Sequence, residues 1–282
     1  MKKTIGIIGF GNMGKAIAER IKSKYQVFIF DKDKEKTQDV PGVKIAENSA
    51  DLVNSTDCLL LAVKPQDFDS VLGEIKSVIK DKLVISIAAG ITTGYIEKFL
   101  GKARVIRVMP NIAAKIGEAE SSLCKGKSAK GADLDLAKEL FDCVGKTWVM
   151  DEGMLNAATA ISGSGPAYIF YDMEIKKIDP ANVSEEIKQK YTDLLKKAAE
   201  RVGFDSQTAL DLAVHTSASS LHLVAITGKS PAELKQQVTS KGGTTEAALK
   251  KLASGGTWEE AAEAAKKRAE ELSSGPNHSK SA

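Results

Sequence analysis

Thr4-Ile5-Gly6-Ile7-Ile8-Gly9-Phe10-Gly11-Asn12-Met13-Gly14 is the stretch that decides the fold. A short apolar strand runs into glycines spaced G-x-G-x-x-G, and a helical pattern opens near Met13. Strand, glycine turn and helix in this order form the context in which the spacing binds a dinucleotide. Gly9 permits the tight turn, Gly11 lets the backbone approach a pyrophosphate, and Gly14 lets helix and strand pack closely. Unpaired N–H groups at the helix start, with its dipole, then favour the phosphate charge. Gly9, Phe10, Gly11, Asn12, Met13 and Gly14 are therefore expected to touch the cofactor.

Beyond this turn the chain alternates compact apolar runs with amphipathic stretches. Thr4–Gly9, Gln26–Asp31, Cys58–Val63, Leu83–Ala88 and Arg104–Met109 read as strands buried on both faces, with Ser121–Cys124 and Thr147–Met150 as weaker ones. The rhythm predicts a doubly wound, mainly parallel α/β domain over residues 1–150. After Asp151 no strand pattern follows. Leu194–Arg201, Ser206–Thr227, Ala232–Thr239, Thr244–Ala253 and Glu259–Leu272 carry apolar residues at helical spacing, so residues 151–272 are expected to be all-α. Residues 273–282, with Gly275, Pro276 and His278, read as a disordered tail.

Composition narrows the class. Of 282 residues, 43% are hydrophobic and 27% charged, and the net charge of +3 comes from well-mixed side chains. That is a soluble globular profile, with no basic block interleaved with aromatics to suggest nucleic acid. The run Lys266-Lys267-Arg268 reads as a solvated helix face. Cys58, Cys124 and Cys143 are widely spaced in apolar segments, which argues against disulfides and a zinc site; no metal is expected. Met1-Lys2-Lys3 runs directly into a strand pattern, unlike a signal peptide, and no run reaches membrane-spanning length. A cytoplasmic protein that engages no membrane is the expectation.

The cofactor contacts extend beyond the glycines. Asp31 ends the second strand, where an acid accepts hydrogen bonds from ribose hydroxyls and disfavours a 2′-phosphate. Lys32, Lys34 and Lys36 follow and could neutralise such a phosphate, so NAD and NADP both stay open. Ala62-Val63-Lys64-Pro65 and Ala88-Ala89-Gly90 end later strands, and ligands lie beyond the carboxyl ends of strands in such sheets. Both segments are expected along the nicotinamide half.

Two further segments carry more specific information. Ser162-Gly163-Ser164-Gly165-Pro166 either separates two helices or forms a pocket wall of small residues. Ser162 and Ser164 lack evident His and acid partners, so a hydrolase triad is not expected. In Ser240-Lys241-Gly242-Gly243-Thr244-Thr245, successive amides could point at one anion, aided by the dipole of the next helix. The alternative is a plain helix start with Thr244 or Thr245 as N-cap. His215 and His222 read as buried or interface residues, and Asp172, Glu174, Glu185 and Glu186 as solvated carboxylates.

Gly9–Gly14, Ala62–Pro65, Ala88–Gly90, Arg107–Asn111, Ala160–Tyr168 and Val238–Thr245 together resemble pyrroline-5-carboxylate reductase. The resemblance covers most of the chain. It implies an N-terminal Rossmann domain, an all-α C-terminal dimerisation domain, and reduction of 1-pyrroline-5-carboxylate to proline by NAD(P)H, the last step of proline biosynthesis. It favours NADP, with NAD open, and a homo-oligomer built from dimers. By resemblance, Thr245 stands beside the ring nitrogen, Ser240, Gly242, Gly243 and Thr244 surround the substrate carboxylate, and Asn48 lies near the adenosine together with Asp31 and Lys32.

The chain departs from the family at three places. Ala113 stands where a proline is usual, and Asn48 matches only with one extra residue before Asp57. An apparent insertion occupies about residues 171–193, where Asp179-Pro180-Ala181-Asn182 should break the helix and Ser184-Glu185-Glu186 start another. An extra helix–turn–helix near the dimer interface is expected. Two other functions compete with the reductase. A β-hydroxyacid or imine dehydrogenase shares the domain plan but keeps a catalytic lysine near an asparagine, context that Lys196 and Lys197 lack. A non-catalytic dinucleotide sensor would leave the Ser240–Thr245 loop without a purpose.

Overall fold

The computed structural model describes residues 2–38 and 40–274; most of the expected tail, His278 included, lies outside them. The chain divides into two compact units. The first runs to Met109 and resumes over Ser122–Glu152, and the second comprises Pro110–Ser121 and Gly153–Leu272.

The first unit holds an open eight-stranded sheet. Its strands are β1 (Thr4–Ile8), β2 (Gln26–Phe30), β3 (Lys44–Ile45), β4 (Cys58–Leu61), β5 (Leu83–Ser86), β6 (Arg104–Pro110), β7 (Ala119–Lys125) and β8 (Gly145–Val149). They lie in the order β3-β2-β1-β4-β5-β6-β7-β8. All pairs from β3 through β6 are parallel. The order reverses direction between β1 and β4, which opens a crevice at their carboxyl ends. β4 and β5 are buried at every residue, as the unbroken apolar runs require. α1 (Asn12–Ile21), α2 (Ser49–Asn54), α3 (Phe68–Ile75), α4 (Thr93–Leu100) and α5 (Gly131–Asp142) fill the crossovers. Leu52, Phe68, Leu72, Ile75 and Ile96 pack with Leu59, Leu61, Val84 and Val105 into one core. Burying each such side chain stabilises the fold by about 1.5–3 kcal/mol before entropy is counted.

The second unit is helical apart from the strand ends it takes from β6 and β7. Its helices are α6 (Leu155–Ala158), α7 (Gly165–Ile175), α8 (Glu185–Arg201), α9 (Ser206–Thr227), α10 (Pro231–Val238), α11 (Thr244–Ala253) and α12 (Trp258–Ser273). Residues Thr159–Gly163 form a π-helical turn that joins α6 to α7. The segment Pro110–Ser121 belongs here and not with the sheet domain. Asn111 ties it into a local knot, its Oδ1 accepting from the amides of Ala113 at 3.2 Å and Glu120 at 3.1 Å. Lys115 then donates to Gln237 and Glu118 meets His222.

α7 stops at Ile175, a turn at Pro180–Asn182 follows, and α8 starts under a Ser184 cap, whose hydroxyl accepts from the Ile187 amide at 3.3 Å. No unbroken helix links Tyr168 to Val202. The hairpin is closed by aromatic packing: the Trp258 ring stacks on Tyr191 at 5.8 Å and meets Tyr168 edge-on at 5.7 Å.

Some sequence expectations are corrected here. Asp172 is not solvated; it is 6% exposed and binds Lys176 and the Tyr191 hydroxyl, because α8 closes over it. Glu174 pairs with Lys235. His222 is exposed within this chain and paired with Glu118, which rules out the buried alternative and leaves the interface one. α9 is long and apolar enough to span a membrane by length and composition, contrary to expectation. Half of its apolar window is buried within the protein, the pattern of a core helix.

Candidate functional site

The first constellation lies at the β1/β4 switch point. A cleft of about 450 Å³ is lined by Gly9, Gly11, Asp31, Lys32, Ala62 and Val63, with Lys36, Lys64 and Asp67 at its rim. The glycines are there for contact. A Cβ on Gly9, whose φ is +96°, would lie 2.7 Å from the Ala62 carbonyl, and one on Gly14 would lie 2.1 Å from the Gly9 oxygen. At Gly11 a Cβ meets nothing within 4 Å, so that backbone faces open space on the cleft side. α1 begins after Gly11 with no side-chain cap and no acid in its first turn. Its free amides and dipole suit a pyrophosphate. These residues fit a dinucleotide.

Asp31 organises the loop from below. Its Oδ2 accepts from the Phe10 amide at 2.7 Å and its Oδ1 from the Asp33 amide at 2.9 Å. The lysines around it are paired: Lys36 with Asp31 and Asp33, and Lys32 with Asp67 at 2.6 Å. Phe10 is buried and Asn12 exposed, and Met13 lies between. Pro65 opens a short turn after β4, while Ala88, Ala89 and Gly90 follow β5; none of these lines the cleft. Asn48 is a helix cap, its Oδ1 accepting from the Asp51 amide at 2.8 Å, and it too lies outside the cleft.

The second constellation joins the two signature segments of the helical unit. The Thr245 hydroxyl donates to Ser164 Oγ at 3.1 Å, and Thr244 Oγ1 lies 3.1 Å from the same oxygen. Thr245 is 4% exposed and Ser164 is fully buried, while Thr244 is half-buried, so the chain of three hydroxyls runs from the interior toward the surface. Neither threonine caps α11. Gly243 holds the cap position, and a Cβ there would lie 2.2 Å from Ser240 Oγ. Ser162 instead donates to the Ala158 carbonyl, a purely local bond.

The loop amides depart from expectation. Gly242 N–H donates to Glu246 Oε2 at 2.8 Å and Gly243 N–H to the Ser240 carbonyl at 2.9 Å, so both are spent on the loop itself. The Gly242 bond holds the Glu246 carboxyl below its usual range. Arg268, expected to be solvated, donates to the Gly242 carbonyl at 2.7 Å and fixes the turn where φ is +71°. Glu246 and Arg268 were not legible as site residues, since nothing in a linear pattern links Arg268 to a loop on another helix.

The model for NADP oxidoreductase, coenzyme F420-dependent, matches residues 4–90, and that for pyrroline-5-carboxylate reductase dimerisation matches residues 189–272. The chain is 38% identical over 256 residues to the pyrroline-5-carboxylate reductase of Methanosarcina acetivorans, covering 86% of each. A pyrroline-5-carboxylate reductase structure from Coxiella burnetii aligns with TM-score 0.65 and 31% identity, over 97% of this chain and 99% of that one. The Plasmodium falciparum enzyme, solved with NADP bound, aligns with TM-score 0.62 and 25% identity, over 96% and 98%.

Proposed function

The chain belongs to the pyrroline-5-carboxylate reductase family, and we propose that it reduces 1-pyrroline-5-carboxylate to proline, the last step of proline biosynthesis. The hydroxyl chain Thr244–Ser164–Thr245 carries this reading, because it ties the family's two most specific segments into one polar site.

The cofactor is a nicotinamide dinucleotide held by the Gly9–Gly14 turn, NADP as in the Plasmodium relative, with NAD open. When bound it supplies a hydride to the imine carbon. The protein's own task is orientation and one proton for the ring nitrogen, and most of the rate gain comes from positioning. Thr245 stands beside that nitrogen. Its hydroxyl, now donating to Ser164, can turn outward when Ser164 donates in its place. The substrate carboxylate is held by Ser240 and by the first amides of α11 at Thr244 and Thr245, since the Gly242 and Gly243 amides are engaged elsewhere. The helix dipole adds to that hold.

The helical unit pairs with that of a second copy, as the dimerisation model over residues 189–272 supports, and the enzyme is a cytoplasmic homo-oligomer. Chromatographic detection of proline tests the reaction. One proline formed per cofactor oxidised supports it; cofactor oxidation without proline contradicts it.

A further inference from the structure

The turn after β5 is held by a carboxylate from the far end of the first unit. Thr93 N–H donates to Glu152 Oε1 at 2.8 Å, and Thr93 Oγ1 donates to Glu152 Oε2 at 2.7 Å. Thr93 is 4% exposed and opens α4, three residues after Gly90, whose φ is +76°. One side chain thus satisfies both donors at the start of a helix whose preceding turn is backbone-permissive.

Glu152 is itself pinned by a buried charge. Arg107 lies 2% exposed on β6, paired in register with Ser86, the last residue of β5. Its Nη1 donates to Glu152 Oε1 at 3.4 Å, and its Nε has no acceptor. A guanidinium removed from water needs a nearby anion, so Arg107 fixes where the Glu152 carboxylate sits. Arg107, Glu152 and Thr93 form a strut from the sheet to the turn.

We infer that Glu152 is a positioning residue for the Ala88–Thr93 turn, which bears on the nicotinamide half of the cofactor and not on its adenosine half. The inference rests on the reductase reading only in placing that turn beside the nicotinamide. A general structural role would weaken all ligands alike. A positioning role separates them.

The experiment compares Glu152→Gln and Glu152→Asp in the full chain by calorimetry, with the reduced cofactor and with ADP-ribose, which lacks the nicotinamide. Glu152→Gln removes the negative charge that Arg107 Nη1 meets and turns an amide toward the Thr93 donors. Loss of a charge-assisted contact predicts about tenfold weaker cofactor binding with ADP-ribose within about twofold of wild type. Glu152→Asp, which keeps the charge, restores part of the loss. Thr93→Val removes only the hydroxyl donor, should show the same split more mildly, and serves if Glu152→Gln does not fold. Equal weakening of both ligands, or no change in either, overturns the inference. Cofactor binding by the wild-type protein without pyrroline reduction would instead overturn the proposed function, while the split between the two ligands in the variants would still decide this inference.

Discussion

Thr245 donates its hydroxyl to Ser164 across 3.1 Å, although the two lie 81 residues apart. Both are buried, so neither can exchange this bond for water at no cost. A hydroxyl kept dry, and joined to a second that also meets Thr244, can change donor for acceptor without a change in charge. Thr245→Ala should therefore lower turnover of the imine by about tenfold to a hundredfold, with cofactor affinity unchanged. Thr245→Ser should recover most of it. Unaltered steady-state kinetics in the alanine variant would remove Thr245 from the reaction.

Asp31 lines the cleft at the end of β2, where a carboxylate weighs against a 2′-phosphate on the dinucleotide proposed to bind there. Its carboxylate is fixed by the Phe10 and Asp33 amides, and Lys32 and Lys36 already have acidic partners. Replacing it with asparagine keeps an acceptor for Phe10 and removes the charge that a 2′-phosphate would meet. The ratio of kcat/KM for NADPH over NADH should rise about tenfold in Asp31→Asn, measured under one ionic strength. A ratio that stays put or falls would show that the charge at this position does not read the ribose.

Gly14 is a packing requirement. A Cβ 2.1 Å from the Gly9 backbone oxygen must push the glycine turn away from α1. Gly14→Ala should cost about 1–3 kcal/mol of stability and weaken both cofactor and ADP-ribose, read by thermal melts and calorimetry. Wild-type affinity for both would contradict the packing argument.

Trp258 closes the α7–α8 hairpin by contact with Tyr168 and Tyr191. Trp258→Ala should destabilise the helical unit by about 3–5 kcal/mol in denaturant unfolding. A loss below about 1 kcal/mol would mean that the hairpin does not depend on that ring.

Asp57 links the start of β4 to β1, its Oδ2 accepting from the Thr4 amide at 2.9 Å and the Thr4 hydroxyl at 2.7 Å. The amide bond first, then the hydroxyl bond, holds its carboxyl below the ordinary 3.8. A lower folded value means that the contribution is present above 3.8 and lost as pH falls through the folded value. Asp57→Asn should melt earlier than wild type at neutral pH and converge with it in acid; a gap that widens in acid would reverse the sign.

The doubly wound domain was legible because its strands are buried on both faces, leaving unbroken apolar runs such as Cys-Leu-Leu-Leu at 58–61. β3 was missed because Lys44–Ile45 is a two-residue, exposed edge with no periodicity to read. Asp179-Pro180 announced the end of α7 by local chemistry alone. What stayed hidden depends on tertiary packing: the burial of Asp172 under Tyr191, the grip of Arg268 on Gly242, and the departure of Pro110–Ser121 from the sheet domain. The glycines near Thr245 suggested an anion nest by type, yet the Glu246 carboxylate and the Ser240 carbonyl take those amides. Residue type announced the loop, and only the fold assigned its donors.

The most direct measurement is the loss of 340 nm absorbance when the purified protein meets 1-pyrroline-5-carboxylate with NADPH or NADH, set against 3-hydroxyisobutyrate with NADP or NAD. Rapid oxidation that depends on the pyrroline, with no turnover of the hydroxyacid, is the predicted result. Hydroxyacid turnover alone, or tight cofactor binding with no oxidation at all, would contradict the reductase reading.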